Sequence, residues 1–527
     1  MAGKKKAITA TKKYALLSVF NKDGIVDFAR TLSDLGYVLI STGGTAKTLE
    51  QHKIPVIPIQ DITGNPESFD GRMKTISFQI ESGIIYDRSN PKHVREAKTL
   101  KIKPIDIVVC NLYPFEETIQ KPKTTLNEAI EHIDVGGPTM VRAAAKNFKN
   151  VLVVTDPTDY ERVEEALETN QATEKLRKEL AAKAFSHLSY YDAQIASYLR
   201  ENSFPEEITL PGKKVIDLRY GENPHQQGAL YVSPQQQSPF SSLQKLWGRD
   251  LSLTNVTDIN AGLESVRVFL QPAAVVIKHN SPCGIALGKT GAEALLRAID
   301  ADPESAFGGV IVINQPIDMH TAKIIANFKD KKRGNIDIIA SPRVDLEALG
   351  FLQQIRKSMG IYVLGDIPDI TKIRTDIKWV DGGFILQTRD DFIEKGFLDW
   401  KVVTKKKPTR KQFEQMQIGW KFVTRIRSNS VIVIDKKLPM TRGIGSGQTS
   451  RLRSTKIALS QAGKFAKNAL LVSDSFFPFD DSVKLASQHG IDAIVQQGGS
   501  INDKASIDAA DKAGIAMVFT NRRAFWH

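Results

Sequence analysis

A lysine, a histidine and an asparagine follow one another directly after an apolar run in the second half of the chain. The run Val275–Ile277 leads into Lys278, His279 and Asn280. An imidazole can take a proton from a weak nucleophile at neutral pH, and an ammonium or amide group can stabilise a developing oxyanion. The triplet is therefore compatible with acid–base chemistry, although a single histidine after a strand is more often structural than catalytic.

A glycine-rich turn in the first half could bind an anion. The stretch STGGT lies between a predicted strand and a predicted helix. Glycines let backbone N–H groups approach an anion, and the helix N-terminus adds positive potential. The pattern is compatible with phosphate binding, but a glycine-rich turn of this kind more often has no ligand. Its residues are Ser41, Thr42, Gly43, Gly44 and Thr45.

Basic, aromatic and acidic side chains follow in the same half. Arg72 and Lys74 are two residues apart, so in an extended segment both point to one side. Tyr113 follows an apolar run, and Asp134 precedes a predicted alanine-rich helix that ends near Lys146. A carboxylate with a lysine or tyrosine can move protons, and a second lysine can stabilise an oxyanion. Each residue alone is equally compatible with a surface position.

Strand-like and helix-like segments alternate in a way that positions these residues. The apolar run Ala15–Val19 is followed by apolar residues at helical spacing up to Leu35, and Tyr37–Ile40 is typical of the next strand. Two β-branched runs, 105–109 and 151–154, are typical of buried strands. The rhythm predicts an α/β fold with a parallel sheet and helices on its faces.

A charged helical stretch, from about 159 to 199, separates the two halves. The following segment FPEEITLPGKK contains two prolines and a glycine. We place a boundary there, so that the first domain covers 1–205 and the second 206–527. Several strand-like runs of the second domain end in polar clusters, where sites in α/β proteins usually lie. They are Ala273–Ile277, Val310–Ile313, Val431–Ile434, Ala469–Val472 and Ala493–Val495.

Composition restricts the class of protein. Of the 527 residues, 41% are hydrophobic and 25% charged, as in multidomain globular proteins of the cytosol. No apolar run approaches the roughly 18 residues that span a bilayer. The basic start MAGKKKAITATKK lacks the apolar stretch of a secretory signal and is typical of a solvated tail. Two cysteines, Cys110 and Cys283, fit a reducing compartment. We expect a cytoplasmic protein without membrane attachment.

A net charge of +13 is compatible with nucleic-acid binding. The basic residues are spread along the chain, however, and no helix-turn-helix, zinc-finger or aromatic-basic RNA motif accompanies them. A positive field that attracts small anionic substrates accounts for the charge equally well. We therefore expect no nucleic-acid partner.

Five segments of the first half occur in the order and spacing of one known domain. They are SVFNK, STGGTAKTL, PESFDGRMKT, CNLYPFE and DVGGPTMVRAAAKN. The series resembles the cyclohydrolase domain of the AICAR formyltransferase/IMP cyclohydrolase family, a Rossmann-type domain similar to methylglyoxal synthase. The resemblance implies that Ser41–Thr45 hold the substrate phosphate. It also implies that the closing ring is surrounded by Arg72, Lys74, Tyr113, Asp134 and Lys146.

The second half resembles the formyltransferase domain of the same family from Leu218 to the C-terminus. Matching segments include LRYGENPHQQGALY, VVIKHNSPCG, DPESAFGGVIVIN, RSNSVIVI, GIGSGQTSR and SDSFFPFDD. The family fold implies two cytidine-deaminase-like subdomains without the deaminase zinc ligands, and the sequence lacks a P-C-x-x-C segment. We expect no metal in the chemistry.

The resemblance implies that AICAR receives a formyl group from 10-formyltetrahydrofolate and that formyl-AICAR is then cyclised to IMP. The amino group of AICAR is a poor nucleophile, so His279 would remove its proton. Lys278, with Asn280 or Asn429, would stabilise the tetrahedral anion. Further contacts to nucleotide or folate are implied for Arg219, Tyr220, Asn280, Phe307, Gly308, Gln448, Asp474, Arg523 and Phe525. The family is dimeric, which implies a homodimer with formyltransferase sites shared across its interface.

Lys278 and His279 are neighbours, and neighbours on a regular strand face opposite sides. Both can serve one site only if the strand ends there. We therefore predict that the strand stops at or before Lys278, that the backbone turns there through Asn280, Ser281 and Pro282, and that both side chains reach one cleft. The stretch Pro282–Gly284 is also typical of a turn.

Two departures from the family pattern affect the first domain. After Lys74 and Thr75 the family usually continues L-H-P-x-[IV]-H-G-G, whereas this chain reads ISFQIESG and lacks both histidines and the proline. Phe20 and Asn21 also stand where the family often has serine and aspartate. An alternative is therefore a formyltransferase alone, whose N-terminal domain is a non-catalytic module that binds nucleotide or phosphate.

We nevertheless predict that cyclisation survives. Ring closure requires positioning, one proton donor and one acceptor, and the retained lysines, tyrosine and aspartate supply them. We expect Lys74 and Lys146 to converge with Asp134 on a pocket beside Ser41–Thr45.

Overall fold

The computed structural model describes residues 12–69, 71–121, 123–234, 238–328, 335–367, 375–390, 397 and 399–527. The basic N-terminal segment expected to be a solvated tail lies almost entirely outside these residues. The chain divides into two compact units, Met1–Gly212 and Lys213–His527. This division falls a few residues beyond the boundary placed from sequence.

The first unit contains one sheet and its covering helices. The strands are β1 (Lys13–Val19), β2 (Tyr37–Ser41), β3 (Ile57–Pro58), β4 (Ile107–Asn111) and β5 (Leu152–Val154). The helices are α1 (Ile25–Asp34), α2 (Gly43–Gln51), α3 (Gln60–Thr63), α4 (Phe78–Ile85), α5 (Pro91–Thr99), α6 (Phe115–Gln120), α7 (Leu126–Glu131), α8 (Gly136–Lys146), α9 (Tyr160–Glu168) and α10 (Glu174–Leu199).

All strand pairs of this sheet are parallel, in the order β3-β2-β1-β4-β5. Leu16, Leu17, Val108 and Val109 on the two central strands are buried, because helices cover both faces. The parallel α/β fold predicted from the β-branched runs is confirmed. Since parallel strands end at one edge, the loops after β1, β2 and β4 meet there.

The second unit contains two larger sheets and two short hairpins. Its strands are β6 (Lys213–Asp217), β7 (Ala229–Val232), β8 (Gln244–Trp247), β9 (Ala273–Lys278), β10 (Ser281–Leu287), β11 (Gly309–Ile313), β12 (Ile336–Ser341), β13 (Gly360–Val363), β14 (Thr375–Val380), β15 (Gly383–Thr388), β16 (Lys401–Val402), β17 (Val431–Ile434), β18 (Thr441–Gly445), β19 (Leu470–Ser473), β20 (Ala493–Gln496) and β21 (Ala516–Phe519). Its helices are α11 (Leu253–Val266), α12 (Gly291–Ala301), α13 (Met319–Asn327), α14 (Leu346–Ile355), α15 (Arg410–Val423), α16 (Arg451–Ala462), α17 (Asp481–Gln488) and α18 (Asp503–Ala513).

The two larger sheets repeat one plan. Their orders are β10-β9-β11-β12-β13-β8 and β18-β17-β19-β20-β21-β16. In each, a hairpin precedes three parallel strands, and an antiparallel strand closes the far edge. Helices α11 and α15 precede the two hairpins. Two α/β subdomains of one type are therefore present, in agreement with the predicted fold class.

The hairpin edges of the two sheets face each other. The N–H of Ile285 on β10 donates to Thr441 Oγ1 of β18 at 3.1 Å, and the N–H of Leu287 donates to Pro439 O at 2.9 Å. Each edge strand thereby shields the other from solvent, which protects backbone groups that a free edge would expose.

The predicted end of the strand at Lys278 is confirmed, and a turn follows it directly, as predicted. His279 and Asn280 form a two-residue hairpin turn, with φ angles of 55° and 59°. Pro282–Gly284 is not a turn but part of β10, where the pairing register shifts. The proline is tolerated because β10 is an edge strand.

Two features, a membrane-spanning helix and a metal-binding group of side chains, are absent from the described ranges. None of the helices there combines the length and apolar character that crossing a bilayer requires. No group of three or more histidine, cysteine or carboxylate side chains in those ranges is arranged to hold a metal ion.

Candidate active sites

The ends of β1 and β2 meet the N-terminus of α2. Ser41 ends β2, and its hydroxyl donates to the carbonyl oxygen of Leu17 at 2.8 Å. Thr45 Oγ1 donates to Val19 O at 3.0 Å and accepts the N–H of the same residue at 3.1 Å. The Ser41 and Thr45 hydroxyls therefore make internal hydrogen bonds that join β1, β2 and α2. The groups available to a ligand are the backbone N–H groups at the start of α2.

Backbone amides and two lysines surround this helix end. Thr42 is the N-cap residue, and the first-turn N–H groups of Gly43 and Gly44 have no acceptor within the helix. A Cβ at Gly43 would lie 2.4 Å from Lys74 Nζ. A Cβ at Gly44 would lie 3.9 Å from Lys22 Nζ. Two ammonium groups at the positive end of a helix dipole favour a bound anion. We call Lys22, Gly43, Gly44 and Lys74 the anion cradle.

Lys22 was not identified from sequence. Its Nζ donates to the carbonyl oxygens of Val19 at 2.7 Å and Phe20 at 3.3 Å. Burial and the charge of Lys74 lower the pKa of Lys22. The segment SVFNK could have identified Lys22, because a lysine just after a strand lies at the carboxyl edge of a parallel sheet.

An acid–base cluster adjoins the anion cradle. Asp134 Oδ1 accepts the N–H of Gly137 at 2.9 Å. Burial raises the pKa of Asp134, and the Gly137 hydrogen bond and the charge of Lys74 oppose this only in part. Burial and the carboxylates of Asp134 and Glu67 raise the pKa of Tyr113. The structure thus brings Lys74, Tyr113 and Asp134 together.

Phe20 packs beside this cluster. Its ring centroid lies 5.2 Å from that of Tyr113. The N–H groups of Phe20 and Asn21 donate to Asn111 Oδ1 at 2.6 and 2.9 Å, which joins the ends of β1 and β4. The residue in place of the family serine therefore supports the tyrosine, while Lys22 remains available for an anion.

Lys146 and Asp134 line one cavity of about 780 Å³ along α8. Lys146 is the last residue of α8 and Asp134 precedes its first turn, a separation of roughly 15 Å along the axis. Lys74 and Ser41–Thr45 do not line this cavity, so it is not the pocket that was expected beside Ser41–Thr45. The Arg72 guanidinium pairs with Glu131 on α7.

Glu81 lines the same cavity and occupies the position of the second family histidine. Its Oε1 is buried without a hydrogen-bond partner in the described part of the chain, and burial raises the pKa of Glu81 to about 7. Ser77, at the position of the first histidine, caps α4 by accepting the N–H of Ile80 at 3.2 Å. The segment is therefore ordered without either histidine.

The β9–β10 hairpin carries the first group of candidate residues in the second unit. Lys278 Nζ donates to the carbonyl oxygen of Phe307 at 2.9 Å, and Gly308 follows with a φ of 71°. His279 and Asn280 form the adjoining turn, in which the imidazole is exposed. The structure therefore brings these five residues together.

Arg219 and Tyr220 belong to the same subdomain. The Arg219 guanidinium lies 4.7 Å from the ring centroid of Tyr220 and donates to its hydroxyl at 3.0 Å. The N–H of Arg219 donates to Leu251 O at 2.8 Å, and the N–H of Leu253 donates to Tyr220 O at 3.1 Å. The pair is thereby fixed at the N-terminus of α11.

Asn429, Gln448 and Asp474 form a second group around Arg451, which was not identified from sequence. The Arg451 guanidinium donates to Asn429 Oδ1 at 2.7 Å and pairs with Asp474. Asn429 Nδ2 donates to Gln448 O at 2.9 Å. Asp474 is completely buried, so its carboxylate is not available for the predicted substrate contact. It instead orients Arg451 and, through it, the amide of Asn429.

The C-terminal segment adjoins this second group. The Arg523 guanidinium lies 4.4 Å from the ring centroid of Phe525, and the N–H of Ala524 donates to Asp474 O at 2.8 Å. Across the residues that the structure describes, no hydrogen bond or ion pair connects the second group to the hairpin group. The candidate residues of the second unit therefore fall into two clusters, one in each subdomain.

Comparisons with known proteins match both units. A family model described as AICARFT/IMPCHase bienzyme matches residues 144–461, and one described as MGS-like domain matches residues 24–139. The bifunctional purine biosynthesis protein PurH of Thermoanaerobacter sp. is 44% identical over 98% of this chain and 100% of that protein. PurH of Lactiplantibacillus plantarum is 46% identical, with the same two coverages of 98% and 100%. The crystal structure of ForH, 33% identical, covers 36% of this chain and 100% of its own with a TM-score of 0.33, too low for a comparison of folds.

Removing Lys22 should weaken binding of a nucleoside monophosphate to the first unit. A charge-assisted hydrogen bond contributes about 1.5–3 kcal/mol, so Lys22→Ala should raise Kd roughly 10- to 100-fold. Titration calorimetry at fixed ionic strength measures the change. Lys47→Ala removes an exposed charge from the same helix and should leave Kd nearly unchanged. Equal affinities for the two variants would contradict the anion cradle.

Glu81→Gln should stabilise the protein more at high pH than at low pH. The raised pKa means that the folded state holds this proton more tightly than the unfolded state. The resulting stabilisation is complete below the ordinary value of 4.5 and is lost as pH rises through about 7. The amide stays neutral, so the Tm of the variant relative to wild type should increase between roughly pH 5.5 and pH 8. Glu161→Gln, on the surface, is the control; a difference that does not vary with pH would contradict the prediction.

Proposed function

The chain belongs to the AICARFT/IMPCHase bienzyme family, and from that premise we propose how its residues carry two reactions. The protein is a bifunctional enzyme of purine biosynthesis that formylates AICAR and cyclises formyl-AICAR to IMP. The formyl donor is of the folate type. We assign the transfer to the second unit, with 10-formyltetrahydrofolate as donor, and ring closure to the first unit.

The anion cradle is the observation that carries the assignment of the first unit. A nucleotide phosphate between Lys22 and Lys74 would neutralise two like charges and accept the free N–H groups of Gly43 and Gly44. With the phosphate held there, the base lies next to Tyr113 and Asp134. Ring closure is intramolecular, so fixing the reacting atoms in contact supplies much of the acceleration.

The adjoining cluster supplies the proton transfers of cyclisation. The carboxamide nitrogen attacks the formyl carbon and loses a proton, and the formyl oxygen is protonated to a hydroxyl. The formamide nitrogen then loses its own proton as its double bond to the former formyl carbon forms, and the hydroxyl takes up a proton and leaves as water. Asp134 can accept the first proton, and its raised pKa also suits it to return a proton to the leaving oxygen. Lys74 is placed to stabilise the oxyanion. The ordered segment around Ser77 supports cyclisation, and no observation favours a formyltransferase alone.

In the second unit His279 is the general base of formyl transfer. It removes a proton as the AICAR amine attacks the formyl carbon of the donor. Lys278 and the oriented amide of Asn429 stabilise the tetrahedral anion. Collapse of the anion expels the folate nitrogen, which takes up a proton, and the products are formyl-AICAR and tetrahydrofolate.

A homodimer would complete the transfer site. The residues of the β9–β10 hairpin and the residues around Asn429 lie in different subdomains, and the reaction requires His279 and Asn429 together. Pairing of two chains would place the β9–β10 hairpin of one chain against Asn429 of the other. We also propose a cytoplasmic location, small molecules as the other partners and no role for nucleic acid or metal.

His279→Ala should lower the rate of formyl transfer roughly 10²–10⁴-fold, the usual contribution of a general acid–base group. Cyclisation of supplied formyl-AICAR should be unchanged, because the two sites lie in different units. The measurement follows formyl-AICAR and IMP separately by chromatography.

His320→Ala provides the matched control, since it removes an exposed imidazole from the same unit. It should leave both rates unchanged. An unaltered transfer rate in His279→Ala, or an equal loss of both activities, would overturn the assignment.

A further inference from the structure

A buried carboxylate lies beneath the exposed turn of the first hairpin. Asp258 is on α11, and only 8% of its surface is exposed. Its Oδ1 accepts the N–H of Asn280 at 2.7 Å, and the N–H of His279 donates to the same carboxylate. Both turn residues therefore bond to one side chain.

These bonds stabilise a backbone conformation that is otherwise unfavourable. His279 and Asn280 both have positive φ, which costs roughly 1–2 kcal/mol per residue with a side chain. The carboxylate accepts the two N–H groups only when the backbone is turned in this way. Asp258 therefore selects the conformation in which the imidazole leaves the line of the strand.

The repeated plan of the two subdomains gives an internal comparison. Helices α11 and α15 each have 14 residues, begin with a capping box and precede a hairpin. The position of Asp258 in α11 is occupied in α15 by Gln415, which is buried but neutral. The fold itself thus accepts an uncharged residue there, and the charge is present only beneath the turn that carries His279.

Few other ionisable groups surround this carboxylate. The charges that act on it are the imidazole of His279 and the carboxylate of Asp337 on β12, and Cys283 on β10 is also near. Asp337 is itself paired with Arg249 at 3.1 Å. Burial raises the pKa of Asp258, and the N–H of Asn280 and the charge of His279 oppose this in part.

We propose that Asp258 is a positioning residue for formyl transfer, which fixes the turn through the N–H groups of His279 and Asn280. The inference rests on the proposed role of His279.

Two variants at position 258 test whether the hydrogen-bond acceptor positions the turn. Asp258→Asn keeps a hydrogen-bond acceptor for the turn, so most of the wild-type kcat for formyl transfer should remain. Asp258→Ala removes the acceptor, and kcat should fall roughly 10- to 100-fold with little change in the KM for AICAR, as for other residues that orient a functional histidine. The asparagine should recover much of the kcat lost in the alanine variant.

Gln415→Ala is the matched control, because it removes a buried polar side chain at the equivalent position. It should lower Tm without moving the kcat of formyl transfer. A Tm measurement on every variant identifies loss of folded protein. Unchanged kcat in Asp258→Ala, or an equal loss of kcat in Asp258→Ala and Asp258→Asn, would overturn the proposal. If His279→Ala also kept its rate, the proposed function itself would fail.

Discussion

Two ammonium groups held against the positive end of a helix are the constraint on which the first unit depends. Lys22 and Lys74 repel each other and the dipole of α2. Glu67 Oε1 lies 3.7 Å from Lys74 Nζ and offsets part of this repulsion, and a bound anion would offset the rest. Lys22 lies in the loop after β1, α2 follows directly on β2, and Lys74 lies in the segment before α4. A parallel sheet brings these ends to one edge, and Asp134 at the start of α8 completes the cluster.

The second unit solves a related problem with buried carboxylates. His279 lies in the turn between β9 and β10, and Asn429 lies just before β17, where its backbone pairs with that of Gln448. Asp258 fixes the first through the turn, and Asp474 fixes the second through Arg451. In both subdomains a buried carboxylate determines the geometry of a candidate catalytic side chain that faces solvent. Substitutions at the buried positions should therefore act on catalysis without any contact to substrate.

Much of the fold was predictable from sequence because it depends on local patterns. Buried β-branched runs predicted β9, β11, β17, β19 and β20, and their rhythm with helices predicted the parallel first sheet. The turn after Lys278 was predicted, but Pro282–Gly284, which has the composition of a turn, belongs to β10. The cavity that Asp134 and Lys146 share was expected beside Ser41–Thr45, which do not line it. Lys22 and Arg451 were missed because their roles arise from contacts between distant segments.

The central claim is that one chain carries two separable sites, and mixing two inactive variants tests it most directly. His279→Ala and Asp134→Asn are supplied with AICAR and 10-formyltetrahydrofolate, first separately and then together. The first variant should leave AICAR unconsumed, and the second should accumulate formyl-AICAR. The mixture should form IMP after a lag, because formyl-AICAR released by one molecule is cyclised by the other. A mixture that forms no IMP, while each variant remains folded, would contradict the account.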